Sequence, residues 1–159
     1  MLNEQNIDSD GIVKSKSRVT TIKTRLIGHH QQMLRVDNEM TKDVTKHETD
    51  ELIGKIAHLI DSQKIDAIIF EDYDKGVITH RLIEQIVAIA QERNIPTIVD
   101  PKKKNLLHYK NVTLFKPNLK ELREGLKIDV DAKDNQKLTE AIELLKQKLN
   151  AQMVMVTLS

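Results

Sequence analysis

Residues 66–101 read DAIIFEDYDKGVITHRLIEQIVAIAQERNIPTIVDP, and the spacing of their apolar positions decides the fold. Ala67 to Phe70 is a short, unalternating apolar run after Asp66, the pattern of a strand covered on both faces. Leu82, Ile83, Ile86, Val87, Ile89 and Ala90 then recur at helical spacing, which predicts an amphipathic helix. Ile95-Pro96-Thr97-Ile98-Val99 is a second buried strand. Strand, helix and strand in this order form the repeating unit of a parallel sheet.

The same alternation extends both ways. Upstream, Leu52, Ile53, Ile56, Ala57, Leu59 and Ile60 mark a helix with one buried face. Downstream, Val112 to Phe115 is another short apolar run and leads through Pro117 to a helix start at Asn118. A long helix follows through Leu138, Ile142, Leu145 and Leu149, and Met153 to Val156 reads as a closing strand. Near the N-terminus, Val19 to Ile22 and Met33 to Val36 are rich in β-branched residues and predict two strands joined by a turn at 28–31. A parallel strand is normally followed by a crossover, so a chain whose last residue, Ser159, directly follows one reads as cut.

Composition narrows the function classes. The chain has 159 residues, 39% hydrophobic and 31% charged, which suits one globular domain, and 3% aromatic content leaves the core to Ile, Leu and Val. With 25 basic against 24 acidic residues the net charge is +1, so no broad field recruits nucleic acid or an anionic membrane. Any anion must be held locally. No apolar run approaches a membrane span and Met1 to Gly11 is polar, so the expected location is cytoplasmic. Zero cysteines exclude disulfides, thiolate metal sites and cysteine nucleophiles. With five glycines there is neither a Walker loop nor a dinucleotide fingerprint. The adjacent His29 and His30 would point to opposite faces of a strand and form no metal cluster.

Ligands of such sheets bind beyond the carboxyl ends of the strands, which singles out three segments. Glu71-Asp72-Tyr73-Asp74-Lys75-Gly76 could bind sugar hydroxyls through carboxylates and a phosphate through Lys75, or be a solvated turn in which Gly76 takes positive φ. Asp100-Pro101-Lys102-Lys103-Lys104 could orient a hydroxyl beside phosphate-neutralising lysines, or be an ordinary charged surface. In Lys116-Pro117-Asn118-Leu119-Lys120-Glu121, Asn118 and Glu121 have capping-box spacing, and the same helix start could serve an anion or a hydrated magnesium ion.

Taken in order, Arg18 to Thr24, Gln31 to Asp37, Asp72-Tyr73-Asp74-Lys75-Gly76, Val99-Asp100-Pro101-Lys102 and Pro117-Asn118-Leu119-Lys120-Glu121 resemble the kinase domain of bifunctional heptose 7-phosphate kinase/adenylyltransferases, within the PfkB or ribokinase-like carbohydrate kinases. The resemblance implies a partial ribokinase-like α/β fold. It would be a mainly parallel three-layer α/β/α sheet forming one partial domain over 1–159, with a βα core at 48–159 and a projecting, lid-type antiparallel strand pair at 18–37. It implies transfer of the ATP γ-phosphate, with Mg2+, to the C1 hydroxyl of D-glycero-β-D-manno-heptose 7-phosphate on the route to ADP-heptose and lipopolysaccharide core.

On that resemblance Asn118, Glu121, Thr157 and Ser159 belong to the nucleotide side, with Glu121 holding magnesium through water. Asp72, Lys75, Asp100, Lys102 and Arg35 line the sugar-phosphate side. No catalytic residue is assigned here, because the base belongs to a Gly-Ala-Gly-Asp motif expected beyond Ser159, and the chain by itself is expected to be inactive. The partners implied are a sugar phosphate, ATP and, in the full-length protein, a second copy. The sequence departs from the pattern at Glu71, where the family has a small residue or serine, and at Lys103, where it has glycine. Two alternatives stand beside this reading: another PfkB sugar or nucleoside kinase, and a non-catalytic α/β module that binds a nucleotide or a partner.

Overall fold

A computed structural model describes residues 3–158. Strands β1 (Ile22–Gly28) and β2 (Gln31–Asn38) pair antiparallel, with Ile22 opposite Asn38 and Leu26 opposite Leu34. The first strand therefore begins at Ile22, where the sequence pattern placed its end. The expectation for His29 and His30 is corrected: they lie in no strand. Their φ values of 50° and 62° make them the two central residues of the hairpin turn, and positive φ at both positions matches the right-handed twist of the flanking strands.

Helix α1 (Lys46–Ser62) starts at a capping box. The Thr45 hydroxyl accepts from the Glu48 amide, and the Glu48 carboxylate accepts from the Thr45 amide at 2.9 Å. The core sheet follows: β3 (Ile68–Glu71), α2 (His80–Glu92), β4 (Thr97–Asp100), β5 (Leu114–Phe115), α3 (Leu119–Leu126), α4 (Asn135–Leu149) and β6 (Met153–Val154). All four strands are parallel, in the order β3-β4-β5-β6. Because the spatial order equals the chain order, right-handed crossovers place the connecting helices on one side. Accordingly Phe70, Val99 and Phe115 form the buried row of the sheet and share one cluster with Ile83, Ile86 and Val87 of α2 and Leu145 and Leu149 of α4.

The opposite row consists of neighbours in register, Ile69, Ile98, Leu114 and Met153. Ile69 is 67% exposed, so among the described residues β3 is covered on one face, not on both as its apolar run predicts. Three of the four aromatic residues stabilise the centre: Tyr109 lies edge-on to Phe70 at 5.5 Å and tilted against Phe115 at 6.0 Å. After Asn118 there are two helices, because Lys127 adopts a left-handed conformation that ends α3 and Asp134 caps α4 afresh. Gly76 does take positive φ, 75°, and a Cβ there would fall on the Lys42 carbonyl oxygen. That close approach joins the ribbon's exit to the loop after β3, where the Val44 amide donates to the Gly76 carbonyl.

Candidate functional site

Parallel pairing brings the carboxyl ends of all four strands to one rim. The Asp72 amide donates to the Asp100 carbonyl at 3.1 Å, joining the tips of β3 and β4. Beyond β5 and β6, Asn118 bridges Thr157 in parallel, the Leu119 amide donating to the Thr157 carbonyl and the Thr157 amide to the Pro117 carbonyl. Two ion pairs cross between tips: Lys116 Nζ to Asp100 at 2.9 Å and Lys102 Nζ to Glu121 at 2.5 Å. Asp72, Asp100, Lys102, Asn118, Glu121 and Thr157 are thus gathered along one edge, although Asp72 and Thr157 are separated by most of the core sequence.

The tip residues differ in freedom. Asp72 is 3% exposed and all of its capacity is directed inward. Its Oδ1 accepts from the Asp74 amide at 2.8 Å, while Oδ2 accepts from Asn105 Nδ2 and from the Tyr109 hydroxyl, both at 3.0 Å. Burial, and then the neighbouring Asp72 charge, push the Tyr109 phenol well above its ordinary range, so it remains a donor. Glu121 is also engaged, Oε1 with Lys102 and Oε2 with the Asn118 amide, while Asn118 Oδ1 accepts from the Glu121 amide at 2.8 Å. The capping box predicted from spacing is therefore present. Lys102 is held more firmly protonated by its hydrogen bond to Glu121, against a partial burial that acts the other way.

Lys75 and Arg35 stand apart from the tips. Lys75 Nζ reaches Glu39, just past β2, at 2.5 Å, and its carbonyl accepts from Arg18. Arg35 lies on β2 and binds Asp37 two residues on, with Nε to Oδ1 at 2.8 Å. Ser159 lies outside the described residues. The sequence reading missed Asn105 and Tyr109, which fix Asp72 from 33 and 37 residues away, and it gave no role to Lys116 of its third segment, which pairs with Asp100. Position placed Lys116 among the candidates, since it directly follows a buried strand; no local pattern marks the other two.

Charge also distinguishes the two ends of the sheet. At the amino ends of the strands a concavity of about 340 Å³ is lined by Gln91, Asn94, Thr97, Asn111 and Gln152 without a charged side chain. An anion is better matched at the tips, where Lys102 and Lys116 lie. No group of three or more Asp, Glu, His or Cys that could hold a metal occurs among the described residues. Magnesium is commonly bound through one or two carboxylates, water and substrate phosphates. Glu121, with lysines beside it for phosphate, fits such an ion.

No protein-family model matches the chain. Among curated proteins it is 36% identical over 162 residues to the bifunctional protein HldE of Helicobacter pylori (strain P12), covering 99% of this chain and 33% of that protein. It is 33% identical to HldE of Sulfurimonas denitrificans, covering 100% and 32%. The chain thus spans about a third of the length of the curated relatives it matches. Phosphofructokinase-2 from Escherichia coli in complex with fructose-6-phosphate shares the fold with a TM-score of 0.64 and 17% identity, over 87% of this chain and 45% of that one. Pyridoxal kinase from Bacillus subtilis, solved as an ADP complex, does so with a TM-score of 0.55 and 15% identity, over 94% and 55%. The chain is a relative of the bifunctional HldE proteins over about a third of their length, and it carries the ribokinase-like fold of the PfkB-type kinases.

Proposed function

We propose that the chain forms part of an ATP-dependent sugar kinase whose acceptor is the C1 hydroxyl of D-glycero-β-D-manno-heptose 7-phosphate, in ADP-heptose and lipopolysaccharide core formation. The observation that carries this reading is the gathering of Asp72, Asp100, Lys102, Asn118, Glu121 and Thr157 on one rim. The HldE relatives and the resemblance of five ordered segments supply the choice of sugar.

In this reading Asp100 accepts hydrogen bonds from sugar hydroxyls, and Asp72, clamped by Asn105 and Tyr109, fixes the tip of β3 beside it. Lys102, Lys75 and Arg35 serve the sugar-phosphate side. Asn118, Thr157 and Ser159 belong to the nucleotide side, and Glu121 would hold magnesium through water. MgATP supplies the transferable phosphoryl group and neutralises its charge; positioning and charge stabilisation are what a protein adds to such a transfer. The sequence contains no Gly-Ala-Gly-Asp segment, so this chain by itself is assigned binding without appreciable turnover. The ribbon of β1 and β2 is assigned the role of lid and of contact in a homodimer of the full-length protein. Its outward Ile22, Leu26, Leu34 and Val36, each more than half exposed, support the second role.

Titration calorimetry with heptose 7-phosphate, fructose 6-phosphate and ribose tests the reading. The heptose phosphate is expected to bind in preference, and Asp100→Asn to weaken it about tenfold, the effect of one hydrogen bond to a charged group. Preference for another sugar overturns the substrate, and indifference to Asp100→Asn overturns the site. Formation of a 1,7-bisphosphate by the chain alone, followed by phosphorus NMR, would contradict the assigned inactivity.

A further inference from the structure

The β1–β2 ribbon stands off the core. Every residue of β1 from Ile22 to Ile27 and of β2 from Gln31 to Val36 is exposed, so packing along the strands does not hold the ribbon at a fixed angle to the sheet. Its direction is set at its root, where one leg enters at 18–21 and the other leaves at 39–44. Arg18 lies on the incoming leg, and among the described residues its guanidinium donates to main-chain carbonyls alone. Nη1 donates to Lys42 at 2.6 Å, and Nη2 donates to Met40 at 3.2 Å and also to Lys75. Met40 and Lys42 belong to the outgoing leg and Lys75 to the loop after β3. One side chain therefore ties both legs of the ribbon to the strand tip that carries Asp72.

Among the described residues no other donor reaches these three carbonyls. A guanidinium suits the task, because its planar fork sends donors in fixed, diverging directions, whereas an ammonium is a compact charge on a flexible stem. A second feature converges on the same place. Gly76, buried and at φ 75°, approaches the Lys42 carbonyl so closely that a Cβ would collide with it, and the Gly76 carbonyl accepts from the Val44 amide at 2.8 Å. The Lys42 oxygen thus receives Arg18 from one leg while it is pressed against the loop after β3.

We infer that Arg18 is the positioning residue of the ribbon: through its three carbonyl partners it fixes the angle at which β1 and β2 leave the core and makes the ribbon and the loop after β3 move as one body. Hydrogen bonds from a charged donor are the stronger kind, and here they bridge segments that no strand pairing joins. The ribbon therefore reaches its working direction before any ligand arrives, which spares a ligand the entropy of ordering it. This role rests on the sugar-kinase reading only for what the ribbon covers; the tie itself stands on the Arg18 hydrogen bonds and the close approach of Gly76.

The chain contains no cysteine, so two introduced thiols can be labelled specifically. Spin labels at Gln31→Cys, where β2 begins, and Gln147→Cys on α4 report the distance from ribbon to core by double electron-electron resonance. The parent should give one narrow distribution and Arg18→Ala a broadened one, which Arg18→Lys narrows in part. Gly76→Ala, which displaces the Lys42 carbonyl by contact, should reproduce the Arg18→Ala pattern, and Arg93→Ala, which breaks an exposed pair with Asp61, should leave the parent distribution unchanged. Hydrogen exchange supplies the second readout. In Arg18→Ala the Val44 amide should exchange at least about tenfold faster, as for the loss of a hydrogen bond to a charged group, while the Lys116 amide, bonded to Val99 within the core sheet, keeps its protection. An unchanged distance distribution overturns the role of Arg18 and leaves the kinase reading intact, and equal loss of protection at Lys116 overturns it as well, since Arg18 would then serve the core as a whole. A broadened distribution with undiminished calorimetric binding of heptose 7-phosphate supports the positioning role while removing the ribbon from the sugar site.

Discussion

Replacing Tyr109 by Phe isolates the contact that fixes the first strand tip. The phenol is fully buried, its ring is held between Phe70 and Phe115, and its hydroxyl donates to Asp72 Oδ2 at 3.0 Å. Phe keeps the ring packing and creates almost no cavity, so the loss is that of one hydrogen bond to a buried carboxylate, about 1.5–3 kcal/mol. Asn105 still donates to the same oxygen, which places the effect toward the lower end of that range. For a domain of this size the melting temperature should fall by about 3–12 °C. Alkali gives an independent check of sign. A tyrosine raised in the folded state contributes stability that is complete below its unfolded pKa, about 10, and is lost as pH rises beyond it. The penalty of Tyr109→Phe, measured by urea unfolding, should therefore shrink above about pH 10. In a Tyr73→Phe background all tyrosinate absorbance reports Tyr109, because the chain has two tyrosines, and ionisation should coincide with unfolding. A phenol that ionises near its ordinary value while the fold persists would refute the buried Asp72–Tyr109 bond.

Two further outcomes follow from the caps. Asn118→Ala removes the acceptor of the Glu121 amide and should destabilise the chain by about 1 kcal/mol in urea unfolding, while loosening the Glu121 carboxylate. Glu48 is held down to about 2 by the Ser15 hydroxyl first, then by the Thr45 amide and hydroxyl. A depressed carboxylate contributes stability present above its unfolded value of about 4.5 and lost as pH falls toward about 2. Glu48→Gln should thus flatten the acid limb of the stability curve in that window, and limited proteolysis should cut near Ser15 and Ser17 more readily; an unchanged acid limb would remove Glu48 as the anchor of that segment.

What the sequence revealed and what it hid separate along one line, the range of the interaction. The βαβ order was legible because Ile68 to Phe70 and Ile98 to Val99 are β-branched or aromatic runs too short for helices, while Leu82 to Ala90 keeps a helical period. The capping box at Asn118 was legible because both partners lie within one turn. The break after α3 was not, because Ile128 and Val130 extend the apolar pattern while Lys127 turns left-handed. The turn at 28–31 was legible, but the conformation of His29 and His30 was not, because His-His lacks the glycine or asparagine that usually signals two positive φ angles. Asp72 marks the limit of local reading. Its environment is set by Asn105 and Tyr109, which approach it only after the sheet has formed, so a residue that looks solvated in sequence is buried in the fold.

That contrast divides the rim into a fixed part and an exchangeable part. Asp72 and its partners are nearly inaccessible, so opening them exposes a buried carboxylate to loss of its hydrogen bonds, a cost of several kcal/mol. The two lysines are different: solvent reaches 41% of the Lys102 side chain and 32% of the Lys116 side chain, and Lys116–Asp100, open at both ends, contributes about 0–1 kcal/mol, whereas Lys102–Glu121 is open only on the lysine side. An incoming phosphate offers each ammonium more negative charge than the carboxylate it leaves. Lys102 and Lys116 can therefore exchange partners without disturbing the strands that carry them, and on the proposed reading this would free Asp100 for a hydroxyl and Glu121 for hydrated magnesium. The frame of Asp72, Asn105 and Tyr109 is thus separate from the two lysines, because the frame is buried and the ammonium groups lie on side chains that solvent reaches.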